Sequence, residues 1–493
     1  MNIRISFDDL QRGFIPSYDA GDTITVFGKG NIVVPELSEL RMIFSSFSKP
    51  YHLVFENIRP VYNFKRKKPY ETSPFGDMIL SFSSPDLNFI ASSLFMNCVN
   101  LTELWLPSVR LTQSNAASGC KKLEKVYMPK VIHISYNTFE ECEGLREFIM
   151  PCEGMEDTVS NDIRSIYSSA FRNCINLKKI YLPKVKEIHT TAFENCINLT
   201  EVYAPLVENI ENSAFERCCN LEKVDFPNAK CIDPYAFRSC FRLKSVNIPL
   251  AENLYKHSFS ECILLENISM DNVRDIEDSA FKDCQNLREI DAPLLESVGK
   301  RAFIDCDNLE RVISPKLENL QVESFYGCSQ LKEIDISNVK VIPSRAFYYC
   351  MKLHIEELPL VEEIHTYAFH ACYRLKNLFM PKLKLLGNYA LSKCTGLGIV
   401  DMPSVETIGK KAFYDCDEIE TVNAPNVKNI GYGAFHWVSW IDNLIIPEIF
   451  DKELMFGWDP DGWEDPDHPF VSYIKEEYRE AKGELKNEFT HEI

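Results

Sequence analysis

The sequence lacks any hydrophobic run that reaches the ~18 apolar residues a membrane-spanning helix requires. Its start, Met1 to Asp9, has no apolar core of the kind found in a signal peptide. This segment ends with two acidic residues, Asp8 and Asp9. These absences predict a protein without a transmembrane segment that resides in the cytoplasm. The alternative is a protein of the cell surface, or one secreted by a route that needs no signal peptide.

Positive charge is also scarce. Lys and Arg number 53 against 72 Asp and Glu, which gives a net charge of −19. Because such a surface repels a phosphate backbone, nucleic acid is not the expected partner. Glycine and proline are few, at 19 and 26 among 493 residues, which excludes a fibrous chain. The 45% of hydrophobic residues suits a folded chain.

The motifs of familiar catalytic sites are missing. The sequence contains no Gly-x-Ser-x-Gly, no His-Glu-x-x-His and no glycine-rich phosphate loop. Its ten histidines do not recur at one repeat position. The acidic tract Asp459–Asp467 lacks the full spacing and the distal Glu of an EF-hand loop, so we interpret it as an acidic turn. We therefore expect no enzyme, no cofactor and no metal site.

What the sequence does have is a regular series of cysteines. Of its 18 cysteines, 15 follow a 22-residue period, with one step of 32 residues where an insertion falls near 152–162. One further step ends on Val438, so the register defines 16 coils. A fixed period of this size predicts a solenoid, in which each coil buries its apolar side chains against its neighbours. The marker cysteines are Cys98, Cys120, Cys142, Cys174, Cys196, Cys218, Cys240, Cys262, Cys284, Cys306, Cys328, Cys350, Cys372, Cys394 and Cys416.

Other columns keep this register, and positions are counted here from the marker. Phe stands at −3 in 14 of 16 coils, Leu or Ile at +3, and Pro at +9 in 14 of 16. Apolar residues at +6 and +8 predict a half-buried strand that the proline ends, and those at +11 and +14 a second inward stretch. The apolar spacing by three around the marker predicts a short helical turn. Where Glu356 occupies the inward +6 position, we expect a bulge that turns Ile355 inward instead.

The coil Leu177-Lys-Lys-Ile-Tyr-Leu-Pro-Lys-Val-Lys-Glu-Ile-His-Thr-Thr-Ala-Phe-Glu-Asn-Cys196 resembles the BspA-like leucine-rich repeats. The resemblance covers residues 87–447 and holds in several columns at once. It implies a β-rich α/β fold, a right-handed curved solenoid with a parallel sheet on one face. Family members occur in bacterial surface proteins and in some protozoan parasites, and they are mostly implicated in adhesion or protein binding.

Three interpretations of the cysteine column are open. A ladder of small buried thiols is favoured, because free cysteine is among the most buried residue types. Disulfides between neighbouring coils are possible by distance, although parallel Cβ vectors suit that bond poorly. Zinc needs clustered ligands, which one cysteine in 22 residues does not supply. Cys152, Cys219 and Cys231 lie off the column, and we expect them to be the accessible thiols.

The two ends of the chain lack the register. Residues 1–86 are predicted to form a β-rich N-terminal cap, with Thr23–Phe27 and Ile32–Val34 as a hairpin and the basic run Lys65–Lys68 as a solvated loop. Residues 448–493 carry 14 acids and 5 bases, and four of the five tryptophans lie in or beside them. We expect an acidic, Trp-rich C-terminal cap with a helix over 471–489; a docking tail for a partner is the alternative.

The candidate binding residues stand at +5 and +7, where a strand side chain points away from the core and toward the concave face of such a solenoid. Early coils carry aromatic residues at +7 beside alternating Glu and Lys at +5, and later coils carry acids at +7. Exposed aromatics beside charge are typical of protein-binding surfaces, although Tyr and Trp also suit strands for their own sake. The predicted partner-binding residues are Trp105, Tyr127, Tyr181, Tyr203, Asp225, Asp291, Asp335, Glu357 and Asp401.

These patterns predict a non-catalytic protein-interaction scaffold. The aromatic residues would bind a protein or peptide, and the acids of the later coils would steer a basic portion of it. One alternative is a surface adhesin that binds a host protein or glycan. Another is a structural subunit of a larger assembly, which contacts its neighbours through the solenoid edges and the Trp-rich end.

Overall fold

The computed structural model describes residues 1–28, 37–56, 73–149, 163–438, 441–450 and 452–457. It divides into two compact units, Met1–Met270 and Asp271–Ile493, and each is described by itself. Several sequence-based predictions fall outside the described residues: the strand Ile32–Val34, the basic run Lys65–Lys68, the insertion 152–162 with Cys152, the acidic tract Asp459–Asp467 and the helix over 471–489.

The repeat forms a β-solenoid of about 18 turns of about 22 residues, built from parallel strands with little helix. A typical coil has a first strand at +5 to +7, a second strand at +13 and +14, and turns around the marker cysteine. The predicted solenoid is therefore confirmed, and so are both of its inward stretches.

In the unit Met1–Met270, four longer strands precede the repeated ones: Asn2–Ser6, Asp22–Phe27, Tyr51–Glu56 and Ile79–Ser83. The first strands of the coils are Glu103–Trp105, Lys125–Tyr127, Glu147–Ile149, Lys179–Tyr181, Glu201–Tyr203, Lys223–Asp225, Ser245–Asn247 and Asn267–Ser269. The second strands are Phe89–Ile90, Leu111–Thr112, Ser165–Ile166, Glu187–Ile188, Asn209–Ile210, Cys231–Ile232 and Asn253–Leu254. Helices cover Phe7–Gln11 and Leu37–Phe44, with a 3-10 turn at Gly76–Met78.

In the unit Asp271–Ile493, the first strands are Glu289–Asp291, Arg311–Ile313, Glu333–Ile334, Asn377–Phe379, Ile399–Asp401, Thr421–Asn423 and Asn443–Ile445. The second strands are Asp275–Ile276, Ser297–Val298, Asn319–Leu320, Val341–Ile342, Glu363–Ile364, Leu385–Leu386, Thr407–Ile408 and Asn429–Ile430. One short helix, Lys452–Phe456, follows the last strand within the described part of the chain.

Strand pairing repeats the sequence period. Ile180 lies opposite Val202 and Ile188 opposite Ile210, each with its partner 22 residues further along the chain. Because successive strand side chains point to opposite faces, the +6 residue is buried while +5 and +7 face outward. Leu104, for example, is fully buried and its neighbour Trp105 is 40% exposed. The parallel pairing therefore places like side chains above one another along each unit.

The phenylalanine column forms continuous ring stacks inside the core. The centroids of Phe193 and Phe215 lie 5.2 Å apart with ring planes 4° from parallel, and those of Phe303 and Phe325 lie 5.1 Å apart at the same angle. These rings are fully buried, as are the Leu residues at +3 of the same coils. Each coil thus obtains its core contacts from the coils on either side of it.

The cysteine column is a ladder of free, buried thiols. All seventeen cysteines of the described residues are unpaired, and the fifteen markers are buried. Thirteen of the marker thiols donate a hydrogen bond to the carbonyl oxygen of the −3 residue in the preceding coil, as Cys196 does to Phe171 at 3.1 Å and Cys350 to Phe325 at 3.2 Å. Cysteine therefore suits this position for two reasons. Its side chain is small, and its thiol is a weak donor that can bond to a backbone carbonyl.

The predicted helical turn around the marker is wrong. Residues at −5 and −1 have a left-handed backbone in each of the sixteen coils from Cys98 to Val438, as at Thr191 and Asn195 with φ of +54° and +60°. A left-handed residue interrupts a right-handed helix. The backbone N–H of Phe193, between these two, donates to the Ala214 carbonyl of the next coil at 2.8 Å. The third side of the coil is therefore a set of turns bonded across coils.

The bulge expected at Glu356 is confirmed. Ile355 is buried in place of the +6 residue, while Glu356 is exposed and its carboxylate lies 3.4 Å from His354 Nε2. The strand is reduced there to a single bridge between Glu357 and Phe379. Exposure of the carboxylate avoids the large cost of burying an unpaired charge.

The N-terminal strands extend the sheet instead of forming a hairpin. Strand Asp22–Phe27 lies between Asn2–Ser6 and Tyr51–Glu56 and pairs in parallel with both, so neither edge is open to a third strand. The hairpin prediction is therefore wrong, although its first strand exists. Pairing continues through Ile79–Ser83 to Glu103–Trp105, the first strand of the cysteine-marked coils.

Residues 73–90 form one more coil in the same register, which the sequence analysis missed. Gly76 stands at the marker position and Pro85 at +9, while Ile79, Phe82 and Leu87 supply the buried +3, +6 and +11 residues. The register is defined by Cys at the marker and Phe at −3, and this coil has neither.

The last coil is closed by the short helix Lys452–Phe456. The backbone N–H groups of Gly433 and Phe435 donate to the carbonyls of Leu454 and Met455 at 2.8 and 2.9 Å, where the next coil would otherwise accept them. Met455 is buried against this end. That residues 1–86 and 448–493 act as caps of the solenoid remains a proposal.

Candidate partner-binding surface

Trp105, Tyr127 and Ile149 lie side by side on the first strands of three successive coils. The parallel register places Trp105 opposite Tyr127 and Tyr127 opposite Ile149. The rings of Trp105 and Tyr127 are 5.9 Å apart and 7° from parallel. Trp105 and Ile149 are each 40% exposed. The strand face therefore presents three adjoining apolar groups to solvent.

Tyr181 and Tyr203 form a second stacked pair on the same side of their coils. Their strands pair in parallel, and the ring centroids lie 4.7 Å apart with planes 5° from parallel. These strands belong to a different sheet from the one that carries Trp105, and the sequence between the two sheets includes residues 150–162, outside the described part. The structure thus groups the four predicted aromatics as two pairs.

Charged side chains flank both aromatic pairs. Lys125 Nζ lies 3.5 Å from a Glu147 carboxylate oxygen, and Lys179 Nζ lies 2.6 Å from one of Glu201. The Lys and Glu that alternate at +5 thus form ion pairs between neighbouring coils at these two places. All four side chains are more than half exposed, so their ion pairs contribute little to stability.

Asp225 stands one coil beyond Tyr203 and is already engaged. Its carboxylate accepts a hydrogen bond from Asn247 Nδ2 at 2.8 Å, and Lys223 Nζ lies 3.7 Å away. The carboxylate remains about half exposed, with 53% of the side chain accessible. It offers a partner an acceptor that is held in place by its neighbours.

The four predicted acids of the second unit do not form a cluster. Asp291 lies opposite Ile313, and Phe379 separates Glu357 from Asp401 along the ladder. The Asp401 carboxylate accepts from Asn423 Nδ2 at 2.7 Å, and that of Asp335 from the Ser337 backbone N–H at 3.0 Å. The acids therefore form a dispersed negative face in which apolar residues intervene.

Charge in this unit is also concentrated in a shallow groove that the sequence analysis did not single out. Lys332 Nζ lies 2.6 Å from a Glu310 oxygen and Arg311 Nε lies 3.2 Å from one of Glu333. Because its lining consists of three cations and three carboxylates, the groove carries no net charge that would select a ligand. Its lining residues are Arg288, Glu289, Glu310, Arg311, Lys332 and Glu333.

In the described part of the chain, no group of three or more His, Cys, Asp or Glu side chains is placed to hold a metal ion. None of the helices described is both long enough and apolar enough to cross a membrane.

The sequence profile of the BspA type Leucine rich repeat region (6 copies) matches residues 78–156, 152–265, 252–375 and 362–452. The chain belongs to this BspA-type leucine-rich repeat family. Proteins of the family are typically interaction scaffolds or adhesin-like proteins, and no enzyme family is indicated.

Three solved structures illustrate what this BspA-type chain is similar to. A leucine-rich repeat protein from Bacteroides ovatus is 24% identical over 77% of this chain and 87% of its own, with a TM-score of 0.48. The pneumococcal vaccine antigen PcpA is 22% identical over 46% and 67%, with a TM-score of 0.30. A leucine-rich cell surface protein from Faecalibacterium prausnitzii is 17% identical over 77% and 87%, with a TM-score of 0.25. Among curated proteins, no match was found.

The turn side of this BspA-type solenoid carries aromatic stacks that the sequence analysis also missed. At position −2, Tyr326 stacks on Tyr348 at 4.8 Å and Tyr348 on His370 at 4.6 Å. At position −5, Tyr367 stacks on Tyr389 at 4.7 Å. The edge of Tyr348 meets Tyr367 at 6.1 Å, which joins the two stacks. The signal was present in the sequence as tyrosines recurring 22 residues apart, but the expected helical turn hid their stacking.

Proposed function

We propose that this protein is a non-catalytic protein-interaction scaffold that binds a protein or peptide on the face of its first strands, the concave face of the repeat. The observation that carries the proposal is the pair of exposed aromatic stacks, Trp105 with Tyr127 and Tyr181 with Tyr203. Large aromatic side chains with a polar group supply much of the binding energy at protein interfaces.

Charged residues in each of the two units contribute to the proposed binding. Asp225 adjoins the aromatic pairs and contributes a fixed acceptor. Asp291, Asp335, Glu357 and Asp401 attract a basic portion of the partner and raise the rate of encounter, an effect that salt screens. The same excess of negative charge disfavours nucleic acid as a partner.

The test compares partner capture by the full chain and by a variant with Trp105, Tyr127, Tyr181 and Tyr203 replaced by Ala. The protein is crosslinked in native material, and captured species are identified by mass spectrometry. We expect the wild type to enrich a defined protein that the quadruple variant captures at least about tenfold less well. A control variant replaces exposed apolar residues away from this face, Ile197 and Leu250, by Ala and should capture as the wild type does. Equal capture by all three proteins would refute the proposal.

We further propose that the scaffold acts in the cytoplasm. The seventeen unpaired cysteines of the described residues support this compartment, since thiols persist where the cell keeps them reduced. Protease treatment of intact cells tests the proposal: the protein should resist digestion until the cells are lysed. Digestion in intact cells would favour a surface adhesin instead.

A further inference from the structure

The turn side of three successive coils in the unit Asp271–Ile493 lacks acidic residues, which is unusual for this acidic chain. The segments 342–353, 364–375 and 386–397 contain no Asp or Glu, in a protein whose net charge is −19. They contain four bases, Arg345, Lys352, Arg374 and Lys393. These segments adjoin the two tyrosine stacks and, with them, form what we call the tyrosine patch.

The cations of the tyrosine patch are only partly neutralised. Arg345 Nη1 lies 3.1 Å from a carboxylate oxygen of Glu323, whose second oxygen is already bonded to Arg301 at 2.5 Å. Lys352 donates to the neutral amide oxygen of Gln330 at 2.5 Å. Arg374 and Lys393 have no carboxylate within 4.0 Å among the described residues. The patch therefore offers at least two cations to an anionic partner.

The tyrosines of the two stacks are half-buried, and His370 between them is buried. Within each stack the ring faces cover one another at 4.6 to 4.8 Å, so they are not open to a sugar or a nucleic acid base. Ring edges carry the positive end of the aromatic quadrupole, and a phenol hydroxyl donates a hydrogen bond. Tyr349, whose side chain is 38% exposed, lies with its ring 4.5 Å from that of Tyr348.

Tyr348 and Tyr367 keep their protons at neutral pH. Burial raises the pKa of Tyr348 to about 12, and the neighbouring Tyr349 adds to the shift. Burial likewise raises the pKa of Tyr367. The Tyr367 hydroxyl therefore stays protonated, and the protonated Tyr348 hydroxyl is hydrogen-bonded to Tyr349.

We propose that the tyrosine patch is a second docking surface, which binds an acidic peptide segment of a partner protein. Carboxylates of an extended Asp- or Glu-rich segment would pair with Arg374 and Lys393 and accept hydrogen bonds from the tyrosine hydroxyls. This surface lies on a different side of the coil from the first strands, so its failure leaves the proposed concave-face function standing.

Binding is measured by fluorescence anisotropy with a labelled twelve-residue Glu-rich peptide and the full chain. We expect saturable binding that weakens with added salt and at least about tenfold weaker binding of a Gln-for-Glu peptide. The variant Arg374→Gln with Lys393→Gln should lose about tenfold in affinity, as expected for two charge-assisted contacts. Tyr349→Phe should lose less, because it removes one hydroxyl and keeps the ring.

A matched control replaces two exposed cations elsewhere in the unit that already have carboxylate partners, Arg274 and Lys428, by Gln. It has the same net charge as the double variant and should retain wild-type affinity. Equal weakening by both pairs of substitutions would reduce the effect to net charge and overturn the proposal. Tighter binding of single-stranded DNA than of the peptide, lost in the same variant, would also overturn it in favour of a nucleic acid surface.

Discussion

The marker cysteines combine burial with a hydrogen bond that a larger or more polar side chain could not make in the same space. The Cys120 thiol, for example, donates to the Phe95 carbonyl at 2.9 Å and is fully buried. Burial raises the pKa of each marker thiol for which a shift is resolved, Cys196 and Cys350 among them. Because the thiolate is the reactive form, the column is protected twice, by inaccessibility and by protonation.

Thiol counting should therefore divide the cysteines into two classes. In the native protein we expect a thiol reagent to modify at most Cys152, Cys219 and Cys231, and to do so slowly at the last two, where burial also raises the pKa. The fifteen markers should react only after unfolding. More than three native-state modifications, or a deficit of thiols after unfolding without reductant, would contradict the buried ladder.

Ser324 is a residue whose substitution should stabilise the protein. It occupies the −4 column, which is Ala in the neighbouring coils, and its buried hydroxyl has no hydrogen-bond partner among the described residues. Ser324→Ala should raise the free energy of unfolding by about 1–3 kcal/mol, because it removes an unsatisfied buried group. Chemical denaturation measures the change, and Ala346→Ser in the next coil should lower stability by a similar amount. A loss of stability in Ser324→Ala would contradict the argument.

His370 should make the fold sensitive to acid. Burial lowers the pKa of His370 to about 4, with a smaller effect from Lys393, while its Nδ1 lies 2.7 Å from Ser392 Oγ. The unfolded chain takes up this proton near pH 6.5, so stability falls as the pH drops from there toward 4, by about 3 kcal/mol in total.

Urea unfolding at pH 7 and pH 4.5 tests this dependence. The variant His370→Gln, which cannot be protonated, should lose about 2–3 kcal/mol less than the wild type between the two values. Identical losses in the two proteins would show that this histidine does not control acid stability.

At the scale of the element, the turn segment depends on a left-handed backbone that L-residues adopt at a cost. Thr191 and Asn137 occupy the same column with the same φ of +54°. Asn tolerates this region far better than a β-branched residue does. Thr191→Asn should therefore stabilise the protein by about 1 kcal/mol, and Asn137→Thr should destabilise it by a similar amount. Thermal unfolding of the two variants would measure the pair; changes of the same sign would refute the explanation.

These elements also show where sequence patterns sufficed. Period-two alternation around Ile180, ended by Pro183, predicted a half-buried strand, and the misplaced charge of Glu356 even located a bulge, because the cost of burying a carboxylate is large and local. The turn failed because apolar spacing by three fits a helix and a series of turns equally well. The decisive property, positive φ at −5 and −1, is carried by Asn, Ser, Tyr, Arg and Lys alike. Only three of these positions are Gly, so no residue type marks them.

The sequence also predicted part of the candidate site, namely which side chains are exposed. Position +7 identified Trp105 and Tyr203 as exposed, since strand alternation fixes the direction of a side chain. It did not separate the aromatics into two pairs, which lie in different sheets of the structure. The tyrosine patch was missed for the reason that the turn was missed: outward direction at −2 and −5 follows from turn geometry, which the spacing did not reveal.

At the scale of the whole molecule, each coil depends on its immediate neighbours through equivalent contacts. Leu391 donates its backbone N–H to Ala412, and Phe413 donates to Ala434, both at 2.8 to 2.9 Å across one coil boundary. A repeat protein built in this way has a stability close to a sum over coils and their interfaces. Removing one complete coil should then leave a shorter protein of the same kind.

Deletion of Thr395–Cys416 removes 22 residues and joins two coils in register, so that Leu391 would donate to Ala434 and the Gly387 and Gly431 positions would adjoin. We expect a soluble protein that unfolds cooperatively, with a circular dichroism spectrum of the same shape and a Tm lower by about 10 °C or less. Deletion of Thr395–Val405 removes half a coil and places the following strand against a turn. Since its buried residues would face solvent, this variant should fail to fold. Equal tolerance of both deletions would mean that the 22-residue register does not hold the solenoid together.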